Sequence, residues 1–331
     1  MVKSASKDIK NKQAKQQQKV FLVFNTIGLG DVLLCNSLCQ NIKHAFPDSK
    51  IVFISNYENQ DAAKYQEGVD DVIACDFNDY DIYDKNGEYK DISKIEKFVN
   101  NFKYKDVFAA IITYHSKAHY TVAKNLKCKH ISMEDGNFIE SKVQIQKVFN
   151  NLLSPITNVK IKNYPIKYHI PSNICNPIEN ILSHREEYIT LCCISTRKEK
   201  NMPPDTTFDL IKLINSYNKK AVLVGKGDES LTYSKQLETS GADFINMVNK
   251  TSILELGQIV KNSQCLISID TGTMHLGYAL QVPTVCVIYE DTAIPKLFAP
   301  SKDLYNYTKV LRKPTAEDIV KEVFNLCDKV Y

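Results

Sequence analysis

Residues 265–289 read CLISIDTGTMHLGYALQVPTVCVIY, and their pattern is the strongest indication of fold in the chain. Apolar side chains run almost without a break through CLISI and again through TVCVIY, which predicts two buried strands. Between them, TGT predicts a tight turn and MHLGYAL a short helix. A buried strand, a helix and a second buried strand form the repeating unit of a parallel sheet that helices cover on both faces.

The turn inside this unit carries residues with binding chemistry: Asp270, Thr271, Gly272, Thr273 and His275. The first N–H groups of a helix have no partner within the helix, and the helix dipole adds about half a positive charge there. A carboxylate, two hydroxyls and an imidazole accompany these amides. The junction therefore predicts a phosphate site, and a diphosphate is the expected ligand.

The length of 331 residues favours two domains of about 150 residues each. No apolar run approaches the ~18 residues of a membrane span. The first apolar segment, residues 20–24, is too short for the core of a signal peptide. Ten cysteines lie mostly in apolar segments and never form CxxC, so we expect reduced thiols rather than disulfides or zinc ligands. These features predict a cytoplasmic protein.

The net charge of +4 comes from the first 19 residues, which hold six lysines and one aspartate. The remainder carries a net charge of −1, which argues against a nucleic-acid-binding body. The tail has almost no large apolar residues and is expected to be disordered or loosely helical. Two interpretations stay open. The lysines bind the anionic inner face of the cytoplasmic membrane, or they belong to an N-terminal segment that is simply exposed to solvent.

From Val20 onward, apolar strands alternate with amphipathic helices. The pattern breaks between residues 155 and 187, where four prolines indicate a linker. Predicted strands lie at 20–26, 50–55, 70–75, 106–114 and 129–132, and then at 188–195, 220–225, 243–247, 264–269 and 284–289. The predicted organisation is a basic tail (1–19), a first domain (20–160), a linker (161–187), a second domain (188–314) and a C-terminal helix (315–331). Whether this helix, with Thr315 as its cap, returns to brace the first domain stays open.

This alternation predicts an α/β fold of two doubly wound, Rossmann-like domains that face one another across a cleft. Ligands of such sheets bind beyond the carboxyl ends of the strands. At the first strand-to-helix junction, Gly28 and Gly30 permit a close approach of ligand to backbone, and Asp31 begins the helix. A dinucleotide fingerprint needs GxGxxG, whereas the chain has GLGDVL, and Ser55 and Asn56 stand where an acidic residue would close strand two. A nicotinamide or flavin dinucleotide site is therefore disfavoured.

Two segments together resemble one family: GLGDVLLCNSLCQNIKHAFPDSKIVFI at 28–54 and IDTGTMHLGYALQVPTVCVIY at 269–289. Both are similar to the heptosyltransferases of glycosyltransferase family 9. These enzymes have the GT-B fold and build the inner core of lipopolysaccharide from ADP-heptose. The resemblance runs from about Val20 to the C-terminus.

The resemblance implies that Asp31 is the catalytic base that deprotonates the acceptor hydroxyl. An aspartate at this position also serves as a helix cap, which stabilises a helix by ~1 kcal/mol, and both roles are compatible. A helix N-terminus lowers the pKa of a carboxylate, so burial has to oppose the dipole if Asp31 is to act as a base.

On the donor side, the resemblance assigns the diphosphate to Lys200 and to the junction of Asp270, Thr271, Gly272, Thr273 and His275. Lys200 lies in KNMP at 200–203, which resembles the family's K-x-W-P element. Arg197 is a rival cation, and a solvated loop lysine is the alternative for Lys200. His275 would donate a hydrogen bond to the diphosphate or neutralise its charge, although a packed histidine is common in a first helical turn.

More distant contacts are also implied. Glu229, or Asp228 beside it, would bind the ribose, and Thr251 would lie near the base. On the acceptor side, Gly28, Gly30, His115 and Lys117, with His119, would face an anionic acceptor. Exposed side chains, helix starts and caps are the alternatives for each. Asp79-Tyr80-Asp81 is formally a DxD metal–nucleotide signature, but its acidic surroundings favour a solvated loop, and no metal site is expected.

The resemblance thus implies an inverting, metal-independent glycosyltransferase. It would move a sugar, a heptose on the family's pattern, from a nucleotide diphosphate donor, ADP-linked in the family, to a lipopolysaccharide-core or related glycan acceptor, free or lipid-linked. The nucleotide sugar is a co-substrate, and no cofactor is expected. Met202, Tyr278, Glu290 and Asp291 depart from the family pattern and leave room for a UDP- or GDP-hexose donor. An epimerase of the same fold and a non-catalytic nucleotide- or carbohydrate-binding module are the rival functions.

Overall fold

Each half of the chain forms a parallel sheet from the apolar strands. A computed structural model describes residues 18–182, 187–291 and 294–328. The first sheet has the order β3-β2-β1-β4-β5 and the second the order β11-β10-β9-β6-β7-β8, with every pair parallel. The strands are β1 (Val20–Phe24), β2 (Lys50–Ser55), β3 (Asp71–Ala74), β4 (Val107–Ile112), β5 (His130–Met133), β6 (Tyr188–Cys192), β7 (Lys220–Leu223), β8 (Ile245–Asn246), β9 (Cys265–Ile269), β10 (Thr284–Ile288) and β11 (Thr308–Arg312).

Helices cover both faces of each sheet, as continuous apolar strands require. In β1, Phe21 and Val23 enter one apolar cluster while Leu22 and Phe24 enter another on the opposite face. The helices are α1 (Leu29–Leu34), α2 (Asn36–Ala45), α3 (Gln60–Lys64), α4 (Asp79–Ile82), α5 (Ser93–Asn100), α6 (Lys117–Asn125), α7 (Phe138–Ser141), α8 (Ile145–Asn151), α9 (Pro204–Ser216), α10 (Asp228–Thr239), α11 (Ile253–Lys261), α12 (Gly272–Ala279), α13 (Ile294–Phe298) and α14 (Ala316–Cys327). The predicted α/β architecture of two parallel, doubly wound sheets is confirmed.

All ten predicted strands are present, and an eleventh, β11, was not predicted. Its sequence, TKVLR, is half-exposed and pairs only with β10 at the edge of the second sheet. An edge strand with charged residues at two of five positions lacks the continuous apolar signal of a central strand. The predicted domain boundaries remain a prediction.

The C-terminal helix α14 packs on the second sheet. Ile319, Val323 and Leu326 enter the same apolar cluster as residues of β9 and α9. Thr315 caps the helix as predicted, because its hydroxyl accepts a hydrogen bond from the amide of Asp318 at 3.2 Å. The possibility that this helix returns to the first domain is therefore wrong.

The predicted tail and linker lie partly outside the described residues. Residues 1–17 and 183–186 are among those not described, so the interpretation of the tail as a membrane contact stays a prediction. At the start of the described chain, the Lys19 ammonium lies 4.4 Å from the ring centroids of both Phe46 and Phe108. Within the predicted linker, Ile166 and Tyr168 are buried in the core.

The two sheets are joined by a close contact between α1 and α12. A Cβ on Gly272 would lie 2.7 Å from Cβ of Leu29, and a Cβ on Gly30 would lie 2.5 Å from the His275 ring. Neither glycine can be replaced without displacing its neighbour across this contact. The apolar cluster beneath it includes Leu33 from α1 and Met274 from α12, so the two halves share one core.

Candidate active site

A cavity of about 440 Å³ lies between the two sheets, at the carboxyl ends of their strands. This is the edge where doubly wound sheets bind ligands. The first domain contributes Ile27, Gly28, Leu29, Glu58 and Asn59 to its lining. The second domain contributes Cys192, Ile194, Ser195, Thr196, Arg197, Lys200, Gly225, Lys226, Thr251, Ser252, Ile253, Leu256, Asp270, Thr271, Gly272 and Thr273.

Asp31 is the third residue of α1 and is not itself among the residues that line the cavity, but its Oδ2 lies 3.4 Å from where a Cβ on the lining residue Gly28 would be. Its side chain reaches solvent at one edge but lies in dense surroundings, and this burial raises its pKa from the usual 3.8 to about 6. The Asp270 carboxylate raises the pKa further, whereas the backbone amide of Asp31 and the Lys200 ammonium lower it. The N-cap of α1 is Gly28, so Asp31 is not the cap residue itself. A carboxyl with this pKa is suited to accept a proton near neutral pH.

Lys200 and Asp270 form an ion pair on the second-domain side of the cavity. Nζ of Lys200 lies 2.7 Å from Oδ2 of Asp270 and 3.3 Å from the backbone oxygen of the same residue. The side chains are only 14% and 7% exposed, so solvent screens the pair weakly. The predicted cation thus lies at the predicted phosphate junction.

Arg197, the rival cation, also lines the cavity but is held by two carboxylates. Its Nε donates to Glu199 at 2.8 Å and its NH2 group donates to the buried Glu290 at 2.9 Å. These two carboxylates hold the guanidinium in place and balance its positive charge.

The junction itself forms as predicted, a turn followed by a buried helix. Thr271 is the N-cap of α12, and its hydroxyl lies 3.3 Å from Oγ of Ser268 and 3.6 Å from Sγ of Cys192 rather than capping the helix. Asp270, Thr271, Gly272 and Thr273 all line the cavity. The helix amides at this point are therefore available to an anion in the cavity.

His275 lies outside the cavity lining, in the α1–α12 contact. Its ring is buried against Gly30, and Nδ1 contacts the Tyr278 hydroxyl. Burial lowers the pKa of His275 to about 4, which outweighs the opposing effect of Asp270. Because the ring is neutral near pH 7, it does not carry the positive charge that was expected to neutralise a ligand. Its hydrogen bond to a diphosphate stays a prediction.

Of the residues predicted to bind the nucleoside, Thr251 lines the cavity, whereas Glu229 and its alternative Asp228 do not. Glu229 is exposed, lies outside the lining and faces Lys198, with 3.9 Å between Nζ and Oε1. Gly225 and Lys226 occupy the wall after β7 instead. The carboxylate of Glu229 is therefore not placed against the cavity that holds Thr251.

His115 and Lys117 are exposed on the first domain, and neither lines the cavity. Nζ of Lys117 donates to the backbone oxygen of Gly87 at 3.1 Å and lies over the Tyr83 ring. His119 is buried between Phe24 and Phe77, so its expected contact with an acceptor is wrong. Burial lowers its pKa to about 4.

The DxD sequence at 79–81 has a structural role. The Asp79 carboxylate accepts hydrogen bonds from the Ser116 hydroxyl at 2.9 Å and the Ala118 amide at 2.7 Å at the start of α6. Asp81 forms a capping box with Asn78. The expectation of a wholly solvated loop is therefore corrected, since Asp79 ties this segment to α6. Among residues 18–182, 187–291 and 294–328, no group of three or more histidine, cysteine or acidic side chains is arranged to hold a metal ion.

Comparison with known proteins agrees with this geometry. A sequence model of glycosyltransferase family 9 (heptosyltransferase) matches residues 140–327. The chain belongs to this family. It is a glycosyltransferase, and its two-domain fold is GT-B. No curated protein matches the chain at the level of sequence.

Solved structures of the family have the same fold at low sequence identity. A family 9 glycosyltransferase from Veillonella parvula superposes with a TM-score of 0.76 at 16% identity, covering 94% of this chain and 97% of that one. E. coli ADP-heptose lipopolysaccharide heptosyltransferase II gives 0.73 at 14% identity, covering 95% and 99%. E. coli heptosyltransferase WaaC with ADP gives 0.71 at 16% identity, covering 93% and 99%.

Three departures from the family pattern have structural explanations. Met202, in place of a tryptophan, is buried in the core of the second domain, and its carbonyl accepts a hydrogen bond from the Tyr233 hydroxyl. Tyr278 fills space beside Tyr305 and contacts His275. Glu290 anchors Arg197. None of these three side chains is among the residues that line the cavity.

Several cavity residues were not predicted. Ile27, Glu58 and Asn59 follow β1 and β2, and Lys226 follows β7, with 3.8 Å between Nζ of Lys226 and Oε2 of Glu58 across the cleft. Their position just after a strand was the one available signal, and it does not distinguish a side chain that lines the cavity from one that points outward.

Within the part of the chain that the structure describes, no helix has the length and apolar character needed to cross a membrane.

The raised pKa of Asp31 makes stability depend on pH. The folded protein binds this proton more tightly than the unfolded chain, so the resulting stability is present below about pH 4 and is lost as the pH rises through about 6. We expect Asp31→Asn, which cannot ionise, to raise the free energy of unfolding by about 1–3 kcal/mol at pH 7.5 and to change it little at pH 4. Urea denaturation at both pH values measures the difference. Asp61→Asn, in the first turn of α3, is the matched control, and an equal effect of Asp31→Asn at both pH values would contradict the assignment.

Proposed function

We propose that this glycosyltransferase moves a heptose from ADP-heptose to a lipopolysaccharide-core or related glycan acceptor, with inversion and without a metal ion. The observation that carries the proposal is the placement of a carboxyl whose pKa is about 6, next to the first-domain wall of the cavity, within electrostatic reach of the Lys200–Asp270 ion pair on the facing domain. The first group is suited to activate an acceptor, and the second to hold a leaving diphosphate.

The nucleotide and the sugar are proposed from the relatives. WaaC was solved with ADP, and heptosyltransferase II is described as acting with ADP-heptose. The cavity of this chain offers Thr251 and Ser252 at the start of α11 for the nucleoside end of such a donor. Thermal-shift measurements with ADP-, UDP-, GDP- and CDP-sugars test this choice, and we expect the ADP-sugars to give the largest shift.

In the proposed reaction, the Asp31 carboxylate takes the proton from the acceptor hydroxyl. The acceptor oxygen bonds to the anomeric carbon as the bond from that carbon to the diphosphate oxygen breaks. The nucleoside diphosphate leaves with the electron pair of that bond. Because the base lies on the first domain and the diphosphate junction on the second, attack from the side opposite the leaving group is favoured, which inverts the anomeric centre.

Charge on the departing diphosphate is proposed to be stabilised by the protein alone. The Lys200 ammonium and the first amides of α12 meet at the same wall of the cavity. Asp270 holds Lys200 beside the junction, where the diphosphate would share this cation. The nucleotide sugar is a co-substrate in this scheme, and no other cofactor takes part.

Replacement of the base tests the mechanism. We expect Asp31→Asn to lower the rate of heptose transfer about 10²- to 10⁴-fold while the affinity for ADP changes little. In the wild-type protein, kcat/KM should rise with pH through about 6, because only the ionised carboxylate accepts the proton. Transfer is measured with the donor selected by thermal shift. Near-wild-type turnover of a folded Asp31→Asn protein that binds donor normally would rule out this role, and Asp61→Asn is the control.

Replacement of the cation tests the donor site separately. Loss of a charge-assisted hydrogen bond costs about 1.5–3 kcal/mol, so we expect Lys200→Gln to weaken ADP binding about 10- to 150-fold. Isothermal titration measures this change. Lys198→Gln is the matched control, since Lys198 lies in the same turn with a side chain that is 83% exposed and outside the cavity lining. If both variants bind ADP alike, or if Arg197→Gln alone abolishes binding, Lys200 is not the diphosphate ligand.

A further inference from the structure

Three polar side chains lie buried together beneath the first turn of α1. Asn25 follows β1, Thr113 follows β4 and Cys35 ends α1, and none of the three is more than 1% exposed. The residues that precede them on the strands, Phe24 and Ile112, belong to the apolar core. Burial of a polar group costs free energy unless the group has a hydrogen-bond partner, so each of these side chains needs one here.

The three side chains satisfy one another. Nδ2 of Asn25 donates to the Thr113 hydroxyl at 2.9 Å and to Sγ of Cys35 at 3.6 Å. The Thr113 hydroxyl donates to the backbone oxygen of Phe24 at 2.9 Å. Burial raises the pKa of the Cys35 thiol well above its ordinary value, so the thiol keeps its proton and remains a donor. Asn25 is therefore the centre of a closed network.

The network holds the segment that carries Asp31 at two points. Oδ1 of Asn25 accepts a hydrogen bond from the Ile27 amide at 3.1 Å, just before Gly28, the N-cap of α1. The Cys35 thiol donates to the backbone oxygen of Asp31 at 3.2 Å. Asn25 therefore acts on both sides of the Asp31 carboxylate. It holds the loop before the carboxylate directly, and it reaches the backbone of Asp31 through the sulfur of Cys35.

We propose that Asn25 is a positioning residue for Asp31. Thr113 and Cys35 complete the network through which it acts. This inference rests on the proposed function, in which the Asp31 carboxylate has to meet the acceptor hydroxyl in a fixed orientation. A misplacement of about 1 Å costs on the order of 10²-fold in rate. None of the three network side chains except through Asp31 reaches the reaction, since Asn25, Thr113 and Cys35 do not line the cavity.

A matched pair of variants at Thr113 tests the inference. Thr113→Val has nearly the same shape but no hydroxyl, so Asn25 loses a partner, whereas Thr113→Ser keeps the hydroxyl. NMR titration of protein labelled with ¹³C in the aspartate carboxyls measures the pKa of Asp31, and Asp31→Asn assigns the signal. We expect Thr113→Val to lower this pKa by about one pH unit, because a loosened turn admits water to the carboxyl. Thr113→Ser should keep it at about 6.

The charged groups that act on Asp31 are the same in both variants. Asp270 and Lys200 face it from the second domain, and neither belongs to the network. A change in the pKa of Asp31 therefore reports the position and burial of its carboxyl.

Kinetics separate positioning from a general loss of structure. The donor is ADP-heptose and the acceptor is lipopolysaccharide truncated in its inner core. We expect Thr113→Val to lower kcat about 10- to 100-fold and to leave the KM for ADP-heptose within about 2-fold, and Thr113→Ser to restore kcat. Asn25→Ala should have the same effect as Thr113→Val, and the Thr113 pair decides if Asn25→Ala does not fold.

Ile95→Val is the matched control. Ile95 lies in α5, in the apolar cluster on the face of the first sheet opposite Cys35. The replacement removes a buried methylene and destabilises the first domain without touching the network. It should change neither the pKa of Asp31 nor kcat.

An unchanged pKa of Asp31 or an unchanged kcat in Thr113→Val would overturn the inference. Equal losses in Thr113→Ser or Ile95→Val would also overturn it. Failure of the proposed function looks different, because the wild-type protein itself would then show no transfer from ADP-heptose, or Asp31→Asn would transfer at the wild-type rate. In that case the pKa comparison alone decides whether the network positions the carboxyl.

Discussion

The close approach of α1 and α12 is the constraint on which the rest of the site depends. Gly30 and Gly272 let two strand-to-helix junctions from different sheets meet, with the His275 ring packed on Gly30 and the Leu29 side chain on Gly272. The meeting brings Asp31 within electrostatic reach of Asp270 and Lys200. Neither junction alone specifies a reaction, since the first is a helix start with a carboxylate and the second is an anion site. Held together, they place a carboxyl with a raised pKa and a paired lysine at a helix N-terminus beside one cavity.

The charges at this contact are interdependent. Burial and Asp270 raise the pKa of Asp31, while Lys200 lowers it, so a diphosphate that engages Lys200 would raise the pKa of Asp31 further. His275, beside Gly30, is neutral near pH 7 and so adds no positive charge that would lower the pKa of Asp31. Binding of donor would thus strengthen the base at the moment when the acceptor needs it.

Residues in continuous patterns could be predicted, and residues positioned by packing between distant segments could not. The strands around 265–289 were predictable because central strands are apolar on both faces. Edge strand β11 lacks that signal, and His119 faces inward only because Phe24 and Phe77 close around it. The glycine-flanked Asp31 and the Asp270–Thr273 turn were located by motif. That His275 turns toward Gly30, and that Glu229 turns away from the cavity, depends on contacts between segments far apart in sequence.

Proton uptake on donor binding tests the coupling of the two junctions most directly. Isothermal titration of ADP-glucose, whose diphosphate does not titrate near pH 6, is carried out at pH 6.5 in buffers with different ionisation enthalpies. If donor phosphate binds beside Asp31, the wild-type protein takes up a fraction of a proton, and Asp31→Asn takes up none. Binding of ADP-glucose without proton uptake, or with equal uptake in Asp31→Asn, would contradict a shared site for base and diphosphate.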